Sequence, residues 1–278
     1  MIKISTIFAA GLIALGLAVP AMAAEEGGHI EKQSWSFAGP FGTYDTNQLQ
    51  RGFQVFREVC AACHDARLLS FRNLHESGGP EFSEEQVKAL AAEYQIVDES
   101  APDGVRAGLP SDRWPGTGQS PNDLRAAFGI VPPDLSVMAK ARKVNDAFPF
   151  WVFNYFTTYS EGGPDYIHAL LLGYEDEPPE GVAVPPGKFY NSVFPGHAIG
   201  MAPPLMDEQI AYTVGEGEAE VPLTADQYSR DVSAFLMWLA EPHLNDHKAA
   251  GFRVFTFLIL FAVLMWFVKK RVWRDVEH

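Results

Sequence analysis

Two apolar runs bracket the chain, and between them the hydrophobic positions fall into a few helical stripes separated by stretches with no period. Ile7 to Val19 is the first run; Ala249 to Val268 is the second, with a single charge, Arg253, near its start. In the body between them, Leu49, Phe53 and Phe56 recur at helical spacing, with Asp45 or Thr46 placed to cap the helix they predict. Tyr228, Val232, Phe235, Leu236 and Leu239 form a second stripe. It opens with Thr224-x-x-Gln227, the spacing of a capping box, and closes at Pro242. These two helices bracket the body and are expected to cross in space. Elsewhere Gly (24) and Pro (20) are frequent and no clean period emerges. The fold class expected is therefore mainly α, one domain with long loops and one C-terminal transmembrane helix.

The two apolar runs differ in their flanks. Lys3 precedes the first and Ala21-Met22-Ala23, a small-x-small cleavage site, follows it. Residues 1–23 thus read as a cleaved secretory signal, with the mature chain beginning near Ala24. The second run, 249–268, is long enough to span a bilayer, and Arg253 lies where its side chain can snorkel to the interface. Lys269, Lys270, Arg271 and Arg274 follow, with Trp266 and Trp273 as interfacial aromatics. The positive-inside rule puts the tail, 269–278, in the cytoplasm and the body, 24–248, outside.

Charge sharpens the picture of partners. The whole chain carries a net charge of −14; the body alone holds 15 Lys and Arg against 33 Asp and Glu, a net −18. That field repels phosphate backbones and excludes nucleic acid as an expected partner. It would speed encounter with a basic protein.

The chemistry lies in Cys60-Ala61-Ala62-Cys63-His64, which contains the only two cysteines. C-x-x-C-H is the spacing of covalent c-type haem attachment. Each thiol adds to one porphyrin vinyl group, and the next residue offers an imidazole to the iron. A disulfide across so short a loop would stabilise little. No α/β frame surrounds the pair to suggest a thioredoxin-like site, and no second C-x-x-C completes a zinc site. One covalently bound haem c per chain is expected, on Cys60 and Cys63, with His64 as axial ligand. Haem c is attached outside the cytoplasm, in agreement with an exported body.

An electron carrier usually has a second axial ligand. Met138, Met201, Met206, Met237 and the remaining histidines are candidates. Met237 falls in the last helical stripe and reads as core; Met138 follows Pro132-Pro133-Asp134-Leu135-Ser136 and reads as a helix start. Met201, in Gly200-Met201-Ala202-Pro203-Pro204, is favoured, because two prolines stiffen its loop. His197 is its main rival.

Several segments together resemble the cytochrome c1 family, the c-type haem subunit of bacterial and mitochondrial cytochrome bc1 complexes. They are the run from Arg51 to His64, Pro132 to Ser136, Gly162-Gly163-Pro164-Asp165-Tyr166, Phe189-Tyr190-Asn191, Phe194 to Leu205, Asp231 to Leu236, Ala240-Glu241-Pro242 and the C-terminal anchor. The resemblance covers nearly the whole mature chain. It implies a cytochrome c-like haem domain with Met201 as second axial ligand, Arg142 beside a haem propionate and Tyr166 near the haem edge. It implies a place in ubiquinol–cytochrome c oxidoreductase, in which the haem takes an electron from the Rieske iron–sulfur protein and passes it to a cytochrome c. Cytochrome b would be a further partner and carry the quinol sites, and the complex would be dimeric. This chain by itself is expected to perform no catalysis. The short signal and basic flank fit a bacterial inner membrane, with the haem domain in the periplasm. The extra cysteine pair of some bacterial relatives is absent, and the aromatic-rich segment 143–161 reads as an insertion relative to the mitochondrial form. Glu81, Glu84 and Glu85 are candidates to meet a basic cytochrome c, with a solvated helix start as an equal alternative. A free-standing membrane-anchored carrier serving an oxidase or periplasmic reductase would share the signal, haem and anchor, though not the full set of segments. A haem enzyme or gas sensor would need an open sixth position.

Overall fold

Two helices that cross at a glycine organise the domain. The structure is a computed structural model and describes residues 30–142, 154, 161–212 and 221–275. The expected signal peptide lies outside the described residues, as do the aromatic residues Phe148, Phe150, Trp151, Phe153, Tyr155 and Phe156 of the expected insertion.

The first helix, α1 (Thr46–Glu58), is capped by Asp45, whose carboxylate accepts from the Gln48 amide at 2.7 Å. Leu49, Phe53, Val55 and Phe56 are buried along one face. Between it and the next long helix the chain forms α2 (Glu84–Ala92), α3 (Pro121–Phe128), α4 (Met138–Ala141) and α5 (Gly162–Leu172), with 3₁₀ turns at Cys60–Ala62 and Phe71–His75. The second long helix, α6 (Ala225–Ala240), buries every residue from Asp231 to Leu239. Only half of the expected capping box forms. Thr224 accepts from the Gln227 amide at 3.3 Å, but the Gln227 side chain donates instead to Asp231 at 2.9 Å.

The crossing point explains Gly52. A Cβ there would lie 2.1 Å from the Asp231 carbonyl oxygen, a backbone atom that cannot swing aside. Close backbone approach in turn lets Phe53 and Phe56 pack on Phe235, with ring centroids 5.6 and 5.5 Å apart, and on Trp114. Asp231, fully buried, binds the two helices together. It accepts from Arg51 Nε (2.8 Å) and Nη2 (3.2 Å), Gln48 Nε2 (3.2 Å), Tyr212 OH (3.0 Å) and Gln227 Nε2. Burial acts to lower the Arg51 pKa, yet its bonds to Asp231 hold it above the ordinary value.

Two small antiparallel sheets are additions that the hydrophobic pattern did not reveal. They pair β1 (Gln95–Val97) with β2 (Val105–Ala107) and β3 (Phe189–Tyr190) with β4 (Ala198–Ile199). Strands of two or three residues are too short to show an alternation.

The first hairpin yields a pH prediction. Arg106 reaches Asp98 at 2.8 Å and grips Asp112 at 2.6 and 2.9 Å, and Asp112 also accepts from the Leu109 amide at 2.7 Å. The bonds from Arg106 hold the Asp112 carboxyl down at about 2. A depressed carboxylate contributes stability above its unfolded pKa, about 3.9, and that contribution is lost as pH falls through the folded value. Amide protection in this hairpin should therefore hold at pH 5 and decline between about pH 4 and 2. Asp112→Asn should lack this acid dependence, as read by hydrogen exchange.

The last helix, α7 (Leu244–Val272), begins five residues before the expected span of 249–268. Leu244 is buried in the domain core, so the anchor grows directly out of the domain. It is the one helix among the described residues long and apolar enough to cross a membrane, and its apolar side chains from Phe252 onward face outward. Arg253 bonds back to the Ala249 carbonyl at 3.2 Å, and Lys270 lies over the Trp266 ring at 4.4 Å.

Candidate haem site

Helix α1 delivers the cysteines. The Val59 amide still bonds to the Val55 carbonyl, and the chain then tightens into one 3₁₀ turn. The Cys63 and His64 amides both bond to the Cys60 carbonyl, at 3.1 and 2.9 Å. That turn presents Cys60, Cys63 and His64 together, all half-buried. No disulfide joins the two cysteines, and burial, with the neighbouring Cys63, pushes the Cys60 thiol up to about 12.

His64 is oriented from across the chain. Its Nδ1 lies 2.8 Å from the Pro133 carbonyl oxygen. A carbonyl only accepts, so Nδ1 carries the proton and Nε2 is the nitrogen left to a metal. Burial holds the imidazole pKa below its ordinary value, against the upward pull of the Pro133 carbonyl, Asp65 and Asp134. The neutral ring is the form that ligates.

Pro132-Pro133-Asp134-Leu135-Ser136 is fastened onto the residues that follow the cysteines. The Leu135 amide bonds to the Asp65 carbonyl at 2.8 Å. Asp134 accepts from the Arg67 amide at 3.1 Å, and Ser136 Oγ from the Leu68 amide at 3.0 Å. Asp65 also accepts from the Thr117 amide at 2.9 Å. The role of Pro133 was not legible from local pattern. Its one signal was a double proline, which pushes the chain to extended geometry and leaves carbonyls without helical partners.

Met201 follows β4. The β3–β4 turn is built on Asn191, whose side-chain oxygen accepts from the Val193 and Phe194 amides at 3.0 and 2.9 Å and whose side-chain nitrogen donates to the Leu170 carbonyl at 2.8 Å. Tyr174 OH donates to the Met201 carbonyl at 3.1 Å. A Cβ on Gly200 would sit 3.4 Å from the Ile130 side chain. The Met201 loop therefore abuts the stretch of chain that runs on into Pro133, whose carbonyl holds His64. The other candidates differ in their surroundings. Met237 is fully buried in the core, Met206 is exposed, and Met138 opens α4. His197, at φ 56°, stacks on Tyr190 with centroids 5.7 Å apart and places Nδ1 3.2 Å from the Asn191 carbonyl.

Arg142 and Tyr166 meet at the junction of α4 and α5. A Cβ on Gly163 would lie 1.6 Å from the Ala139 carbonyl oxygen and 2.8 Å from that of Arg142, so the helices abut there. Burial raises the Tyr166 phenol, and the nearby Arg142 charge opposes it. Neither lies on α1: Arg142 caps the end of α4, and Tyr166 lies in the first turns of α5.

These residues fit a haem. Two thiols and an imidazole with its Nδ1 spoken for share one turn. Ile130 and Val137, which flank the Pro133 segment, are 53% and 48% exposed and leave apolar surface beside the turn for a porphyrin to cover.

A mainly helical domain that carries C-x-x-C-H on the end of its first helix and hangs from one apolar helix is a membrane-anchored c-type cytochrome in architecture. Residues 35–276 match the model of the Cytochrome C1 family. The chain is 46% identical over 276 residues to a cytochrome c1 of Blastochloris viridis, covering 95% of this chain and 94% of that one. It is 40% identical over 259 residues to the mitochondrial cytochrome c1 heme protein of Saccharomyces cerevisiae, covering 92% and 75%. A protein named cytochrome b/c1 from Bradyrhizobium diazoefficiens is 48% identical over 271 residues; the match takes in 96% of this chain but spans only 39% of that longer one. The chain belongs to the cytochrome c1 family.

Proposed function

We propose that this chain is the haem-bearing electron-transfer subunit of a bacterial cytochrome bc1 complex, accepting electrons from the Rieske iron–sulfur protein and donating them to a cytochrome c. The observation that carries the reading is the C-x-x-C-H turn with His64 pinned by the Pro133 carbonyl. Bound haem c would supply the one-electron redox chemistry. Cys60 and Cys63 would hold it through thioether bonds, one group per chain. His64 would offer Nε2 as one axial ligand, and the Pro133 carbonyl would fix the ring's tautomer and raise its basicity. Met201 would offer its thioether from a loop stiffened by Pro203 and Pro204. Arg142 would neutralise a propionate, with Tyr166 beside it. Cytochrome b would carry the quinol sites, and the haem domain would stand in the periplasm with the tail 269–278 in the cytoplasm. The complex would be dimeric.

Affinity purification from native membranes in mild detergent tests the reading. Co-purified b-type haem, an iron–sulfur subunit and inhibitor-sensitive quinol–cytochrome c reduction are expected. A lone c-type haem without that activity, from membranes in which the complex survives extraction, would favour a free-standing carrier instead.

The acidic docking candidates divide. Glu81, at φ 52°, spends its carboxylate within a turn, accepting from the Gly78 amide at 2.7 Å. Glu84 and Glu85 stand exposed in the first turn of α2, between the two members of the Ser83–Gln86 capping box. Glu84→Gln with Glu85→Gln should reduce the salt dependence of cytochrome c reduction, while Glu81→Gln should mainly loosen the turn. Equal slopes in double mutant and parent would remove the pair from the interface.

A further inference from the structure

We propose that the loop Ser36–Thr43 is a second membrane contact of this chain, with its tip, Pro40 and Phe41, set in the interfacial layer of the phospholipid bilayer beside the head of α7. The inference rests on the reading of α7 as a membrane span. From Gln33 to Tyr44 no residue is charged, in a chain of which 20% is charged and whose body carries net −18. A loop without charge suits the interfacial layer, because no charged side chain has to be taken out of water there.

The loop is fastened to the membrane helix at the level where that helix turns apolar. Lys248 donates through Nζ to the carbonyls of Phe37 and Gly42. The Tyr44 amide donates to Asn245 Oδ1 at 3.2 Å, and Tyr44 OH to the Glu241 carbonyl at 3.1 Å. Phe41 meets Phe252 edge to face, with centroids 5.9 Å apart. Lys248 and Phe252 are four residues apart on a helix, about 6 Å along its axis, so the loop straddles the entry to the hydrocarbon.

The loop is also stiff. The Thr43 amide bonds to the Ser36 carbonyl and the Ala38 amide to the Trp35 carbonyl, both at 3.1 Å, and the Gly39 amide reaches Glu161 Oε1 at 3.2 Å. A Cβ on Gly42 would lie 2.2 Å from the Ala38 carbonyl oxygen, so the turn admits only glycine there. Phe37 is buried between Trp35 and Tyr44. Against this fixed base Phe41 keeps 75% of its surface exposed. An aromatic side chain presented outward by a rigid, uncharged turn, continuous with the outward apolar face of α7, fits lipid. Contact at both the loop and the helix would fix the tilt of the domain over the membrane.

Site-directed spin labelling tests this in the haem-loaded full chain in phosphatidylcholine–phosphatidylglycerol nanodiscs. Phe41→Cys, Ile259→Cys within α7 and Glu99→Cys in the β1–β2 turn are labelled with a nitroxide. The parent chain treated identically reports any labelling of Cys60 and Cys63, and hence any failure of thioether attachment, separately. Collision rates with oxygen and with a water-soluble nickel chelate are then compared. The expected result is an oxygen-to-nickel ratio at position 41 several-fold above that at 99 and approaching that at 259. A ratio at 41 equal to that at 99, or little collision with either reagent, overturns the loop contact while a lipid-like 259 keeps the membrane helix. Water-like ratios at both 41 and 259 overturn the two together.

Discussion

Replacing Asp231 with alanine is expected to destabilise the domain by about 3–5 kcal/mol, the range for removing one partner of a buried ion pair. The size follows from what the carboxylate holds. It is fully buried and accepts from Arg51, Gln48, Tyr212 and Gln227. Alanine would leave the partly buried Arg51 guanidinium without its counter-charge and several side-chain donors without an acceptor. It would do so beside the α1–α6 crossing, where Gly52 admits no relaxation. Asp231→Asn keeps the shape and one acceptor and should cost less. Tyr212→Phe removes one hydrogen bond and should cost about 1 kcal/mol. Denaturant unfolding of the haem-loaded chain in detergent, followed at the far-UV helix signal, measures the series. A loss under about 1 kcal/mol for the alanine variant would mean that the network contributes no more than a surface pair.

Met201→Leu is the second large expectation, and it acts on function. Methionine ligation raises the reduction potential, and axial ligands set haem potentials over a range of about 0.8 V. Leucine keeps the volume and removes the thioether. The reduction potential should fall by a sizeable part of that range, and the reduced protein should gain carbon monoxide binding that the parent lacks. Redox titration and the carbon monoxide difference spectrum check the two together. Unchanged potential with no carbon monoxide binding would point to another ligand; His197→Ala would then be the next variant. The backbone of the loop should keep its place in Met201→Leu, because Tyr174 OH donates to the Met201 carbonyl and that bond does not involve the substituted side chain.

Much of the fold was legible because its signals are local. The stripe of Leu49, Phe53 and Phe56 gave α1, with Asp45 as its cap. The stripe from Tyr228 to Leu239 gave α6, and the last apolar run gave α7. Helical periodicity needs only neighbouring residues. The capping box at Thr224 was half wrong for a non-local reason: Gln227 found a better acceptor in Asp231, itself held by Arg51 from another helix. The small strands were missed because pairing partners, not alternation, create them. The start of α7 at Leu244 was missed because that residue is held by the domain core.

The sequence by itself determined the haem-attachment motif, the membrane anchor, the acidic body and the family, since each is written in residue types at fixed spacing. Only the tertiary structure decided what orients these groups. The Pro133 carbonyl lies 69 positions from His64 in sequence and 2.8 Å from its Nδ1 in space. Asp231 meets Arg51 across 180 positions, and Phe41 meets Phe252 beside a membrane helix that the sequence places at the other end of the chain. Such contacts arise where packing brings two backbones together, and no spacing rule along one chain encodes them.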